Sequence, residues 1–151
     1  MLQIIYISHA RVPLSSADMS MLLLKSRVNN DVLDVTGMLI YHDGAFMQLL
    51  EGGAEEVSSL FSTICADPRH HAIQVLHRVE VDTRIFPGWS MGFVHYDNQR
   101  HDEPAELADF FDKKGLPGPN SGTQALQILS QFRYGSLRRC VERGFAPVAI
   151  R

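Results

Sequence analysis

Cysteine is scarce. The 151 residues hold only Cys65 and Cys140, which make no disulfide framework and lack metal-ligand spacing. A strong charge of one sign is missing too. A formal net charge of −3 gives no general pull toward nucleic acid or anionic lipid, although a local basic patch would. No apolar run approaches the roughly 20 residues of a membrane-spanning helix, and the first residues lack a basic region ahead of a secretory core. A nucleophile elbow, a Walker loop, a dinucleotide-binding glycine pattern, paired catalytic carboxylates and zinc spacing are all absent. The expectation is a cytoplasmic protein that is not an enzyme, needs no metal, and has neither a membrane nor a direct nucleic-acid partner. What is present is an ordinary globular composition, 45% hydrophobic and 21% charged, long enough to bury one real core.

The chain is organised around Val35–Gly53. Two apolar runs, Met38–Tyr41 and Ala45–Leu50, flank His42-Asp43-Gly44, and Asp-Gly is a strong hairpin signal. Strand period two puts Phe46, Gln48 and Leu50 on one face and Met47, Leu49 and Glu51 on the other. A buried amide costs free energy unless both its ends find partners. Gln48 is therefore either a satisfied core polar group or one that meets a ligand.

Before this hairpin, Leu2–Ser8 reads as a strand with Ile4, Tyr6 and Ser8 on one face, so that two hydroxyls lie in line. Ser15-Ser16-Ala17-Asp18 is a helix start of the capping type. Met19, Leu22, Leu23 and Ser26 form an amphipathic stripe that arrives at Asn30 three turns on. Asn30 is either a helix C-terminal cap, a duty Asn29 could take instead, or an amide that addresses a ligand beside the helix.

After the hairpin, Val57, Leu60, Phe61, Ile64 and Cys65 lie on one side of a second helix, with Cys65 expected as a small buried hydrophobe. Asp67-Pro68-Arg69-His70-His71 stops this helix; adjacent histidines point oppositely on a strand, and Arg69 offers an anion contact. Ile73–Val81 reads as a strand with Ile73, Val75, Val79 and Val81 on one face. Pro87-Gly88 makes a turn, and a last strand from Trp89 to Tyr96 would set Trp89, Met91 and Phe93 on one face. The order is β-α-β-β-α-β plus a fifth strand, the ferredoxin-like α+β pattern with two helices on one sheet face. Beyond it lie a short helix over Pro104–Asp112, a glycine- and proline-rich linker over Gly115–Gly122, a helix over Thr123–Phe132 and a basic helix from Leu137 to Arg143. This divides the chain into a domain over 1–96 and a helical extension over 97–151.

Six pieces of the sequence, taken together and in order, resemble the BLUF family of blue-light sensors that use FAD. They are Ile5-Tyr6-Ile7-Ser8, Asn29-Asn30, Val35-Thr36-Gly37-Met38-Leu39, Phe46-Met47-Gln48-Leu49-Leu50-Glu51-Gly52, Asp67-Pro68-Arg69-His70-His71 and Phe86-Pro87-Gly88-Trp89-Ser90-Met91. The resemblance spans roughly residues 2–96. It implies noncovalent FAD between the two helices, with its ring near Tyr6 and Gln48 and its polar edge bonded by Asn30. Ser8, Asn29 and Arg69 would be further cofactor contacts, and Trp89 and Met91 would relay the signal. It also implies that the excited flavin takes an electron and proton from Tyr6, and that back-transfer leaves Gln48 rotated or tautomerised. His9 is bulkier than the residue expected after Ser8. With no output domain in sight, the expectation is action through an unidentified partner protein or a homo-oligomer. The competing readings are a non-photochemical ferredoxin-like interaction module and a small hydrolase of the acylphosphatase type using Asn30 and Arg69.

Overall fold

The computed structural model describes residues 1–42, 44–97 and 100–101. Its elements are β1 (Leu2–Ala10), α1 (Ser16–Leu33), β2 (Thr36–His42), β3 (Ala45–Gly52), α2 (Ala54–Cys65), β4 (His70–Glu80), β5 (Gly92–Asp97) and β6 (Arg100–His101). They form one sheet in the order β4-β1-β3-β2-β5-β6, in which β2 and β5 run parallel and every other neighbouring pair is antiparallel. The expected ferredoxin-like arrangement is therefore observed. The two-residue β6 falls in a stretch read from sequence only as polar. The elements expected within 104–143 lie outside the described residues.

Local chemistry explains the element ends. The Ser15 hydroxyl accepts from the Asp18 N–H while the Asp18 carboxylate accepts from the Ser15 N–H, a capping box at the start of α1. That reciprocity holds the Asp18 carboxyl below the usual range, chiefly through the hydrogen bond with Ser15. Neither Asn29 nor Asn30 caps the other end. α1 runs to Leu33 and is closed by Asp34 in the left-handed conformation (φ 54°), while the Asn30 carbonyl accepts from Val35 N–H at 2.9 Å.

One sheet face carries Ile4, Leu39, Phe46 and Leu50 against Met19 and Leu23 of α1 and Val57 of α2, with Leu60, Phe61 and Ile64 packed around them. On the other face Ile5, Ile7, Met38, Ile40, Met47 and Leu49 are just as completely buried. α1 is less one-sided than its buried stripe suggests, because Met21, Leu24, Val28 and Val32 are exposed.

Three expectations are corrected. Cys65 is exposed, because the side of α2 that reaches the sheet is set by Val57, Leu60 and Ile64, and Cys65 stands beyond it at the last turn. Val75 and Val79 do not share a face: Val75 stands across from Tyr6 and Val79 across from Gln3, with a register shift of the ladder between Ile5 and Tyr6, so that Arg78, across from Ile4, is the side chain that meets Ser58 of α2. Finally, the last strand begins at Gly92, not at Trp89. The carbonyls of Ser90 and Met91 are taken by the Asn30 and Arg27 side chains of α1, so the backbone there is held by a helix and not by a ladder.

Gly37 of β2 stands where β3 leaves no room for a side chain. A Cβ on it would sit 1.9 Å from the Leu49 carbonyl oxygen, which the β-ladder prevents from moving. Gly37→Ala is expected to lower the unfolding free energy by about 3 kcal/mol, the upper end of overpacking costs. Chemical denaturation measures this, and a loss below about 1 kcal/mol would contradict the packing described.

Candidate functional site

The site begins with a register. β1 and β3 are antiparallel neighbours in which Tyr6 stands directly across from Gln48, and Leu39 of β2 stands across from Gln48 on the other side. Cross-strand partners share a face, so both polar side chains point toward α1 and α2. The Tyr6 hydroxyl donates to Gln48 Oε1, and Gln48 Nε2 donates to Met91 Sδ at 3.5 Å. Tyr6, Gln48 and Met91 are 3%, 5% and 2% exposed, so this chain of contacts is buried. The amide orientation is thereby satisfied at both ends. Turned over, it would set Oε1 against a sulfur that has no proton to give.

Burial pushes the Tyr6 phenol far above its ordinary range, with smaller contributions from Cys65 and Asp67. The phenol is therefore neutral and carries its proton at any physiological pH. Its ring packs against Phe61 of α2, with centroids 5.3 Å apart.

Ser8 continues the same face, yet its hydroxyl is committed elsewhere. It lies 2.8 Å from His70 Nδ1, and His70 Nε2 lies 2.7 Å from the Ile64 carbonyl. A carbonyl only accepts, so Nε2 carries a proton, and in the neutral ring Ser8 donates to Nδ1. Ser8 is thus not part of the pocket wall; the imidazole it orients is.

Between the helices opens a cavity of about 190 Å³. Tyr6, Gln48, Leu39 and Phe46 form its floor, Leu22, Lys25, Ser26, Asn29 and Asn30 its α1 wall, and Leu60, Thr63 and Ile64 its α2 wall. Asp67, Arg69 and His70 close one end. Asn30 is 2% exposed and donates through Nδ2 to the Ser90 carbonyl at 2.7 Å, which leaves its Oδ1 to a further partner. At the rim Arg69 folds back on Asp67 with N–O distances of 2.5–3.0 Å. This hydrogen-bonded pair holds the Asp67 carboxyl low and raises the Arg69 guanidinium. Arg69 and Lys25 are the cations of the cavity lining.

Of the residues singled out in the sequence, Tyr6, Asn29, Asn30, Gln48 and Arg69 line this cavity. Met91 reaches it through Gln48. Trp89 does not line it. The indole stacks on Phe86, centroids 5.6 Å apart at 21°, and lies beside Gly92 and Met38 on the side of the sheet away from Gln48. Lys25 and Thr63 line the cavity with no expectation from the sequence, and His70, expected only as one of two histidines pointing oppositely on a strand, lines it too. Lys25 had a signal, since it precedes Asn29 by one helical turn.

Residues 1–92 match the family model described as sensors of blue-light using FAD. The chain belongs to the BLUF family. It is 34% identical over 87 residues to a photoactivated adenylate cyclase subunit beta of Euglena longa, a match that covers 57% of this chain and 10% of that protein. It is 33% identical over 110 residues to the blue light- and temperature-regulated antirepressor BluF of Escherichia coli K12, covering 73% of this chain and 27% of that protein. Among solved structures, the dark state of the BLUF protein BlrB superposes with a TM-score of 0.64 at 30% identity, covering 87% of this chain and 96% of that one. The chain thus spans about a tenth of the first curated relative it matches. The BLUF domain is a sensor and not a catalyst, which sets aside the acylphosphatase reading and gives the chain FAD as its cofactor. The cavity suits that group. Its lining offers Leu14, Leu22, Leu39, Phe46, Leu60 and Ile64 to a flat ring, an Asn30 amide with its Oδ1 left for a polar edge, and two cations, Lys25 and Arg69. Among the described residues no helix is long and apolar enough to cross a membrane, and no cluster of metal-ligating side chains occurs.

The state of Tyr6 has a thermodynamic consequence. An unfolded tyrosine ionises near pH 10, whereas folded Tyr6 keeps its proton well above that. Unfolding therefore releases a proton in alkali, so the stability Tyr6 brings is complete below about pH 10 and declines as the pH rises beyond it. The parent's unfolding free energy is expected to fall more steeply above pH 10 than that of Tyr6→Phe, by about 1.4 kcal/mol per pH unit. Parallel slopes would show that Tyr6 ionises freely in the fold.

Proposed function

We propose that this chain is a blue-light photoreceptor in which Tyr6 is the electron and proton donor, Gln48 the hydrogen-bond switch, and Met91 the first group to feel the switch. The single observation that carries this reading is the buried chain from the Tyr6 hydroxyl through both ends of the Gln48 amide to Met91 Sδ. FAD, held between α1 and α2 by Asn30 with contributions from Asn29, Lys25 and Arg69, supplies the blue-light absorption and the transient electron acceptor. His70 takes the contact role that the sequence suggested for Ser8.

Tyr6 is suited to its part because a neutral buried phenol can give up an electron and a proton together. The proton has a ready path, since the hydroxyl already points at Gln48 Oε1. A Gln48 amide protonated there, or turned over, no longer presents the same ends to Tyr6 and Met91. One exchanged hydrogen bond is worth about 1 kcal/mol. That shifts a balanced two-state element roughly fivefold and leaves the fold intact.

The output is proposed to leave through residues 85–91 and the 97–151 extension, toward a partner protein or a second copy of this chain in the cytoplasm. An antirepressor and a cyclase subunit among the relatives are examples of what blue-light domains can be attached to. In this reading Trp89, on the far side of the sheet, belongs to the output side and not to the flavin pocket.

Absorption spectra of purified protein in the dark and immediately after blue light test the core of the proposal. The parent is expected to show a flavin spectrum that shifts slightly to the red and recovers in the dark. Tyr6→Phe and Gln48→Leu are each expected to remain yellow and lose the reversible shift. A normal photocycle in either variant would remove that residue from its role.

A further inference from the structure

Glu51 follows Gln48 by three positions on β3 and points to the opposite face, where it is fully buried. Its carboxylate takes no described cation. Oε1 accepts from the Ile85 N–H at 2.8 Å and from Gln3 Nε2 at 2.7 Å; Oε2 accepts from the Ile85 and Phe86 N–H groups, each at 3.0 Å. Gln3 is oriented in turn by His77, whose Nε2 lies 2.8 Å from Gln3 Oε1. Two backbone N–H groups of a connecting segment thus end on one buried side chain.

That segment carries the residues next to the site. Beyond Phe86, Trp89 stacks on the Phe86 ring, the Trp89 carbonyl accepts from Gly37 N–H at 3.0 Å, and Met91 meets Gln48. Met91 lies only five positions beyond Phe86, so fixing the first constrains the last. We infer that Glu51 is a positioning residue for the light response: its carboxylate latches residues 85–86 and thereby holds Met91 Sδ within reach of Gln48 Nε2 in the dark. The inference rests on the Tyr6–Gln48 reading for its photochemical consequence, though not for the latch itself. A carboxylate is the suitable group because it only accepts. An amide at this position would turn an N–H toward an N–H.

The chain has a single tryptophan, so Trp89 emission reports this segment without interference. In Glu51→Gln the dark Trp89 emission is expected to move to longer wavelength as the indole loosens from Phe86. The flavin red shift should persist, and its dark recovery should slow about fivefold, because the dark orientation of Gln48 loses the Met91 contact. Met91→Ala should reproduce the slow recovery without the emission change. Parental emission together with a recovery within twofold of the parent would overturn the latch. Should Glu51→Gln not fold, amide hydrogen exchange in the unaltered protein decides: Ile85 and Phe86 are expected to be protected like strand amides, and rapid exchange at both would overturn the inference. Exchange and emission do not depend on photochemistry, so an absent red shift in the parent would overturn the Tyr6–Gln48 reading alone.

Discussion

The pairing of Tyr6 with Gln48 across β1 and β3 is the constraint on which everything else depends. In a sheet buried on both faces, a slip of one residue would send every side chain of a strand to the wrong side. It would exchange Tyr6 for Ile5 or Ile7 and Gln48 for Met47 or Leu49, and leave a phenol and an amide stranded in an aliphatic layer. Pairing along the whole of β1, with Leu2 opposite Gly52 and His9 opposite Ala45, makes that slip expensive. The polar pair is thus held by the apolar residues that alternate with it.

Given that pair, the surroundings follow from satisfaction of buried polar groups. The amide has two inequivalent ends, and an unsatisfied one would cost about 1–3 kcal/mol. Tyr6 serves the oxygen and Met91 serves the NH2 group weakly, since a thioether is a poor acceptor. A strong bond at one end and a weak one at the other make the amide well placed in the dark yet easy to turn. The weak partner sits on an irregular segment held by side chains from elsewhere, namely Arg27 and Asn30 of α1 and Glu51 of β3. A change at Gln48 therefore meets a hydrogen-bond partner whose backbone lies outside the sheet ladder.

Much of this was legible in the chain. Asp-Gly between two apolar runs, the Ser15/Asp18 capping pair and the alternating periods of strands and helices are local signals, and local chemistry honours them. Gln48 and Asn30 could be picked out because an amide on an apolar strand face or helix stripe needs partners, whereas Tyr6, Asn29 and Arg69 are assigned to the flavin through the family resemblance. What was misread involves contacts between distant residues. Trp89 and Met91 alternate as if on a strand, but Asn30 and Arg27, about 60 positions earlier, claim the carbonyls that a strand would need. Ser8 looked free to meet a ligand until His70, 62 positions on, took its hydroxyl. Cys65 carried the right periodicity, but at the last turn of α2 it stands beyond the side set by Val57, Leu60 and Ile64.

The sequence by itself determined the order of elements, the faces of the two central strands β1 and β3, and the blue-light sensor family, because these depend on nearest neighbours and on motifs read in order. Only the tertiary structure decided that Met91 touches Gln48 while Trp89 lies across the sheet, and that Glu51 holds the connecting segment. Those outcomes depend on which distant donor reaches which acceptor, and no periodicity along the chain encodes that.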